Sequence, residues 1–405
     1  MWDLKAWSIS IEYSRSLRGI LQRNTEGYRI GSEHAFSTLV VKGILLASHV
    51  DFFIMPDHGG MGEMQSTLID PGNLFEVLRD SYKQIEHAWH RTVDLGVCKK
   101  NAMRSILVSG MGGSAISGDV VRNFLQEELK LPFFVNRGYG LPPWVDGSTL
   151  VILSSYSGNT EETISVFRKA MNTGANIICL TTGGIIKELA REGGFPVIDL
   201  QPGFQPRYAL YNSFFSLLKI LQELSIIPSQ DGVINQVIRD MQEQGTFYVK
   251  EGNPAQGIAE RIGDKVPVVY TVADSTDSLG MRFKGQLNEN SKIHAFHNIL
   301  PEMNHNEIIG WEQWDRDRTP MVAFHIRDKD DHPRVVRRFR IMETIFREIG
   351  LDVIRLESDK DSLKRRIWDL IYLTDWISYF YAVQKGRDPG EIDYIHRLKR
   401  EMSDG

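Results

Sequence analysis

The sequence predicts an α/β protein built from two tandem units, each a parallel sheet flanked by helices. Three observations carry this. Short apolar runs alternate with helical periodicities, the pattern of strands whose two faces are both covered. Two turns rich in glycine or hydroxyl residues, at 110–114 and 154–163, each sit where such a run enters a helix. After a break at Pro228-Ser-Gln-Asp-Gly232, a new apolar run at 266–272 leads through small residues into another helical stretch, so the opening of the first unit is repeated.

Taken in order, Phe75, Val77, Leu78, Tyr82 and Ile85 recur at helical spacing and predict a lead-in helix over 74–95. Strands are expected at 105–109, 133–136, 150–154 and 177–180, with helices running through Val121 and Phe124, over 161–173 and over 210–224. The second unit is expected to hold strands at 266–272, 292–296, 321–326 and 352–356. Its helices should pass through Met281 and Leu287 and cover 334–349 and 363–383. The resulting division is an N-terminal extension at 1–63, a first unit at 64–227, a helical connector at 228–250, and a second unit with a C-terminal helix and tail at 251–405.

A chain of 405 residues is long enough for two domains, and 42% hydrophobic with 24% charged residues is the balance of a chain that buries sizeable cores. A formal net charge of −5 supplies no overall basic field for a nucleic-acid backbone, while a small anion needs only a local site. Cys98 and Cys179 are too few for a disulfide framework, which points to a reducing, cytoplasmic setting. The apolar runs are far shorter than the roughly 20 residues that span a bilayer, so no membrane partner is expected. Residues 1–60 have weak periodicity and lack the pattern of a signal peptide. The expectation is an appended segment, with the folded protein beginning near Met61 or Met64.

Gly110-Met-Gly-Gly-Ser114 follows a strand and opens a helix, so its backbone N–H groups can face an anion at close approach. It does not fit a dinucleotide fingerprint, since the Gly-x-Gly-x-x-Gly spacing is missing. The second turn, Ser154-Ser-Tyr-Ser-Gly-Asn-Thr-Glu-Glu-Thr163, places several hydroxyls and amides together. One hydroxyl suffices for a helix N-cap; three within six residues suit a phosphate monoester.

Ser155-x-Ser157-Gly-Asn-Thr160 with the upstream Gly112-Gly-Ser114 resembles the phosphosugar-binding signature of SIS (sugar isomerase) domains. Two such units in tandem resemble the bifunctional phosphoglucose/phosphomannose isomerases, over about residues 65–400. The resemblance implies a cofactor-independent aldose–ketose isomerase acting on a hexose 6-phosphate. Its phosphate would be held by Ser155, Ser157 and Thr160, beside Gly112, Gly113 and Ser114.

Such chemistry needs ring opening, a base that carries a proton between C1 and C2, a positive group near the enediolate oxygens, and a phosphate anchor. By residue chemistry alone Glu289, Glu302 and Glu307 are equivalent candidates for the base. The resemblance selects Glu289, in an Asn-Glu-Asn segment sixteen residues before His305 of Asn-His-Asn-Glu. It further implies that His305 opens the ring from the partner subunit of a homodimer, that Arg207 stabilises the enediolate, and that Lys385 stands near the ring oxygen. Ser378, seven residues before Lys385, would leave room around C2 for either epimer. A metal at His294, His297, His305 and Glu307 is disfavoured, because a strand would point His294 and His297 to opposite faces. Trp311 and Trp314 are expected to pack a core or a dimer surface. The competing readings are a non-catalytic phosphosugar sensor and an isomerase of another phosphosugar.

Overall fold

The computed structural model describes residues 69–96 and 103–403. The expectations for residues 1–63, for a start near Met61 or Met64, and for Cys98 lie outside the described residues.

The lead-in helix is two helices, α1 (Leu74–Arg79) and α2 (Ser81–His90). Asp80 breaks the predicted single helix: it leaves helical geometry at ψ 14°, and its carboxylate takes hydrogen bonds from Arg79 at 3.0 Å and Lys83 at 2.8 Å. Asp70 caps α1 instead, accepting from the N–H groups of Leu74 and Phe75 at 2.9 Å.

The first sheet follows: β1 (Ser105–Ser109), α3 (Gly112–Phe124), β2 (Phe133–Asn136), β3 (Thr149–Ser154), α4 (Glu161–Ala170), β4 (Asn176–Thr181), α5 (Gly184–Gly193), β5 (Val197–Asp199) and α6 (Leu210–Glu223). Its order is β2-β1-β3-β4-β5 with every pairing parallel, Ile106 opposite both Phe133 and Leu150. The direction of winding reverses between β1 and β3. In a doubly wound sheet that reversal opens a crevice at the carboxyl ends of the two strands, and both predicted anion turns leave the sheet there.

The second sheet comprises α7 (Asp231–Tyr248), α8 (Pro254–Ile262), β6 (Val266–Val272), α9 (Asp277–Glu289), β7 (Phe296–Leu300), β8 (Met321–Ile326), α10 (Pro333–Glu348), β9 (Asp352–Leu356), α11 (Leu363–Gln384) and α12 (Asp393–Ser403). Two 3-10 turns, Glu302–His305 and Glu307–Gln313, link β7 to β8. The order β7-β6-β8-β9, again all parallel, reproduces the arrangement of the first four strands of the other sheet. The strand expected at 292–296 lies later, at Phe296–Leu300, because Lys292 adopts a left-handed turn (φ 54°) that ends the run from α9.

One large core joins the two sheets. Helix α11 is apolar around most of its girth, as a helix with neighbours on all sides must be. Trp368 packs on Tyr211, Phe214 and Phe215 of α6, and Trp376 on Phe75. Tyr372 of α11 donates to the carbonyl of Leu78 at 2.8 Å, so the last long helix holds the first short one. Among the described residues no helix is long and apolar enough to cross a membrane. Cys179 is buried in β4 with its thiol pushed up to about 12 by burial, which leaves it unreactive.

Candidate active site

The first anion turn owes its shape to its glycines. A Cβ on Gly113 would lie 2.5 Å from the carbonyl oxygen of Pro206, so only glycine lets the start of α3 pack against the Pro206-Arg207 backbone. In the second turn Gly158 has φ +70°, and a Cβ there would overlap the carbonyl of Gly183. The two turns are tied together, since the N–H of Tyr156 donates to Ser114 Oγ at 3.2 Å.

Thr160 occupies the N-cap of α4 without using its side chain as a cap. Its hydroxyl lies 2.9 Å from Ser155 Oγ, which also accepts from the N–H of Gly158 at 3.1 Å. Ser157 Oγ accepts from the N–H of Asn159 at 3.2 Å and remains exposed. Ser155, Ser157 and Thr160 therefore share one turn at a helix N-terminus, where oriented N–H groups favour an anion.

A cleft of about 140 Å³ opens beside the glycine turn, lined by Gly112, Gly113, Arg207 and Glu289 together with Arg137, Arg282 and Gln286. Glu289 ends α9, with its side chain 36% exposed, and its Oε2 is 3.6 Å from Nη1 of Arg207. Arg207 is almost wholly buried and is clamped on three sides. Its Nε donates to Asn290 Oδ1 at 2.6 Å, and its Nη2 donates to the carbonyls of Pro389 at 2.6 Å and Gly390 at 3.2 Å. With its other nitrogens committed, Nη1 is the one turned to the carboxylate.

Beneath Arg207 lies a buried ion pair. Arg282 donates to the Arg207 carbonyl at 3.2 Å and pairs with Asp375 of α11 at 2.6 Å, and Asp375 also accepts from Tyr211 at 2.9 Å and Gln286 at 3.1 Å. Burial works to discharge Arg282; the Asp375 carboxylate outweighs it and holds the guanidinium above its ordinary range. Asn290, Arg282 and Asp375, which surround Arg207, were not singled out from the sequence. Asn290 alone had a visible signal, as the second Asn of Asn-Glu-Asn.

Lys385 and Ser378 are not brought to this cleft. Lys385 caps α11 and turns outward, its Nζ 2.6 Å from Asp264 and over the ring of Tyr381. Ser378 is fully buried, donating to the Asp375 carbonyl at 2.8 Å and accepting from Asn290 Nδ2 at 3.0 Å. It stands behind Asn290 instead of facing open space. His305 lies on the exposed 3-10 turn and is likewise absent from the cleft of its own chain.

Among the described residues no cluster of three His, Cys, Asp or Glu side chains could hold a metal ion. His294 precedes β7, so only His297 has a strand face. His297, in β7, binds Thr271 Oγ1 at 2.7 Å and is held neutral, its pKa lowered to about 4 by burial. Glu307 is engaged in structure, accepting from Tyr270 at 2.6 Å and from Asn298 at 2.5 Å. Trp311 packs in the core against Phe346 and donates to Tyr270 at 3.0 Å.

Two parallel sheets flanked by helices define a tandem SIS protein. Residues 101–193 match the SIS domain, and residues 251–402 match the bacterial phospho-glucose isomerase C-terminal SIS domain. Bifunctional phosphoglucose/phosphomannose isomerases from Caldicellulosiruptor bescii and Aquifex aeolicus are each 36% identical, over 82% and 80% of this chain and 99% of theirs. The chain belongs to that family. A D-glucosamine-6-phosphate 4-epimerase from Sulfolobus acidocaldarius is 35% identical over 49% of this chain and 61% of its own length. The fold is shared with the C-terminal domain of glucosamine-fructose-6-phosphate aminotransferase from Francisella tularensis (TM-score 0.58, 16% identity, 78% of this chain and 98% of that one). It is shared too with a glucose-6-phosphate isomerase like protein from Thermus thermophilus (TM-score 0.53, 15% identity, 81% and 96%).

Proposed function

We propose that this chain interconverts glucose 6-phosphate and mannose 6-phosphate with fructose 6-phosphate, in the cytoplasm and without a cofactor. The observation that carries the reading is the meeting of Glu289 and Arg207 beside Gly112 and Gly113 in one cleft. The phosphate sits in the turn of Ser155, Ser157 and Thr160, which leaves the opened chain to extend toward Glu289. Glu289 removes the C2 proton of the aldose, and the electron pair moves to form an enediolate between C1 and C2. Arg207, fixed by Asn290 and two carbonyls, is already oriented toward the oxygens that gain charge, so no reorganisation is needed as that charge develops. Glu289 then returns the proton to C1 while the O2 hydroxyl proton passes to O1, leaving the ketose carbonyl at C2 and a hydroxyl at C1. Ring opening falls to His305 of a second copy, a role supported by its exposure and its separation from Glu289 within one chain.

Acceptance of both epimers is supported by the names of the relatives. Ser378 takes part indirectly, by fixing the Asn290 amide that orients Arg207. The test is a coupled assay in EDTA that follows fructose 6-phosphate formed from glucose 6-phosphate and from mannose 6-phosphate. Turnover of both is expected. Turnover of neither, with binding retained, would favour a sensor; conversion of glucosamine 6-phosphate alone would place the chain with the epimerase.

A further inference from the structure

A second cavity lies elsewhere among the described residues. It measures about 680 Å³ and is lined by Arg261, Lys265, Arg316, Arg347 and Arg355 together with Glu343 and Asp352, and it shares no lining residue with the cleft of Glu289. Lys265 precedes β6, Arg316 lies in the turn before β8, and Asp352 opens β9, so the cavity sits at the amino ends of three adjacent strands.

Its two carboxylates are already engaged. Asp352 accepts from Arg261 Nε at 3.1 Å and lies 3.5 Å from Lys265, and Glu343 accepts from Arg355 Nε at 2.7 Å. Two guanidiniums, those of Arg316 and Arg347, find no carboxylate among the described residues, and both are exposed. Five cations therefore converge on a concavity that holds two neutralised anions. Uncompensated like charges repel one another, and the arrangement is relieved by an anion that reaches several of them together. The volume falls within the roughly 300–1,000 Å³ of small-molecule sites, and guanidinium forks fit phosphoryl oxygens bidentately.

We propose that this cavity is a second anion site, taking a small molecule with two or more phosphoryl groups. Arg316 and Arg347 supply the free charge, and the paired Arg261, Lys265 and Arg355 form the wall. The site is separate from the phosphate turn of Ser155, Ser157 and Thr160 and does not depend on the isomerase reading.

The experiment is calorimetric titration of the full chain with inorganic orthophosphate, pyrophosphate and tripolyphosphate, in EDTA at fixed ionic strength. Tripolyphosphate should bind saturably and at least tenfold more tightly than orthophosphate. The double variant Arg316→Ala/Arg347→Ala should weaken it at least tenfold while keeping wild-type melting temperature and turnover. Ser157→Ala should leave it unchanged. Equal affinity for the three anions would overturn the proposal. So would binding that survives in the double variant or disappears with Ser157→Ala.

Discussion

Glu289 and Arg207 are 3.6 Å apart, and their surroundings divide the labour between them. The arginine is buried and held by three hydrogen bonds; the carboxylate is partly exposed at the cleft. Replacing Glu289 with Gln keeps size and hydrogen bonding but removes the proposed base. Isomerisation should fall on the order of 10²–10⁴-fold, whereas the affinity for fructose 6-phosphate, read by calorimetry, should hardly change. Normal turnover by this variant would move the base to another carboxylate. In the proposed mechanism Asn290 acts through Arg207, whose Nε donates to the Asn290 Oδ1 at 2.6 Å. Asn290→Ala frees the Arg207 Nε and should lower kcat more than it raises KM. An equal loss in a variant that also unfolds early would instead mark it as structural.

At the scale of elements, the start of α3 is held against the chain before α6 by the contact of Gly113 with Pro206. Gly113→Ala must push the two apart. It should reduce kcat/KM at least tenfold through displacement of Arg207, with secondary structure intact by circular dichroism. In the second sheet, burial opposes the charge on Glu343, but hydrogen bonds from His325 and the Arg355 fork bring its pKa down to about 2. A carboxyl depressed on folding stabilises the native state above its unfolded value near 4.5, and that stability is lost as pH falls toward 2. Glu343→Gln should therefore cost on the order of 3 kcal/mol at neutral pH and flatten the acid limb of a urea-denaturation profile. An unchanged limb would show that the pair contributes nothing. What was legible in the chain follows the same division. Gly112, Gly113, Ser155, Ser157 and Glu289 belong to contiguous turns or to a helix end, where local pattern and chemistry coincide. Arg282 and Asp375 stand 93 residues apart and meet only because α9 packs on α11. The seven-residue spacing placed Ser378 and Lys385 on one face of α11. Asn290 and Ser291 cover that face at Ser378, and at Lys385 the helix has already ended.

The order of the second sheet leaves β7 on an edge, with Phe296 of β7 at 56% and Ile309 of the following 3-10 turns at 64% exposure. The proposed role of His305 in trans requires a two-fold dimer in which each His305 serves the cleft of the other subunit. That arrangement separates trans from cis catalysis by mixing two dead variants. In a heterodimer of Glu289→Gln and His305→Ala chains, trans placement joins the intact Glu289 of one with the intact His305 of the other, while the remaining site carries both lesions. Random reassociation should then restore about a quarter of wild-type activity, from half the dimers with one of two sites working. If histidine acts within its own chain, every site in every mixture lacks one group and no activity returns. Size-exclusion chromatography of the mixture, run beside the assay, distinguishes that outcome from a failure to exchange subunits.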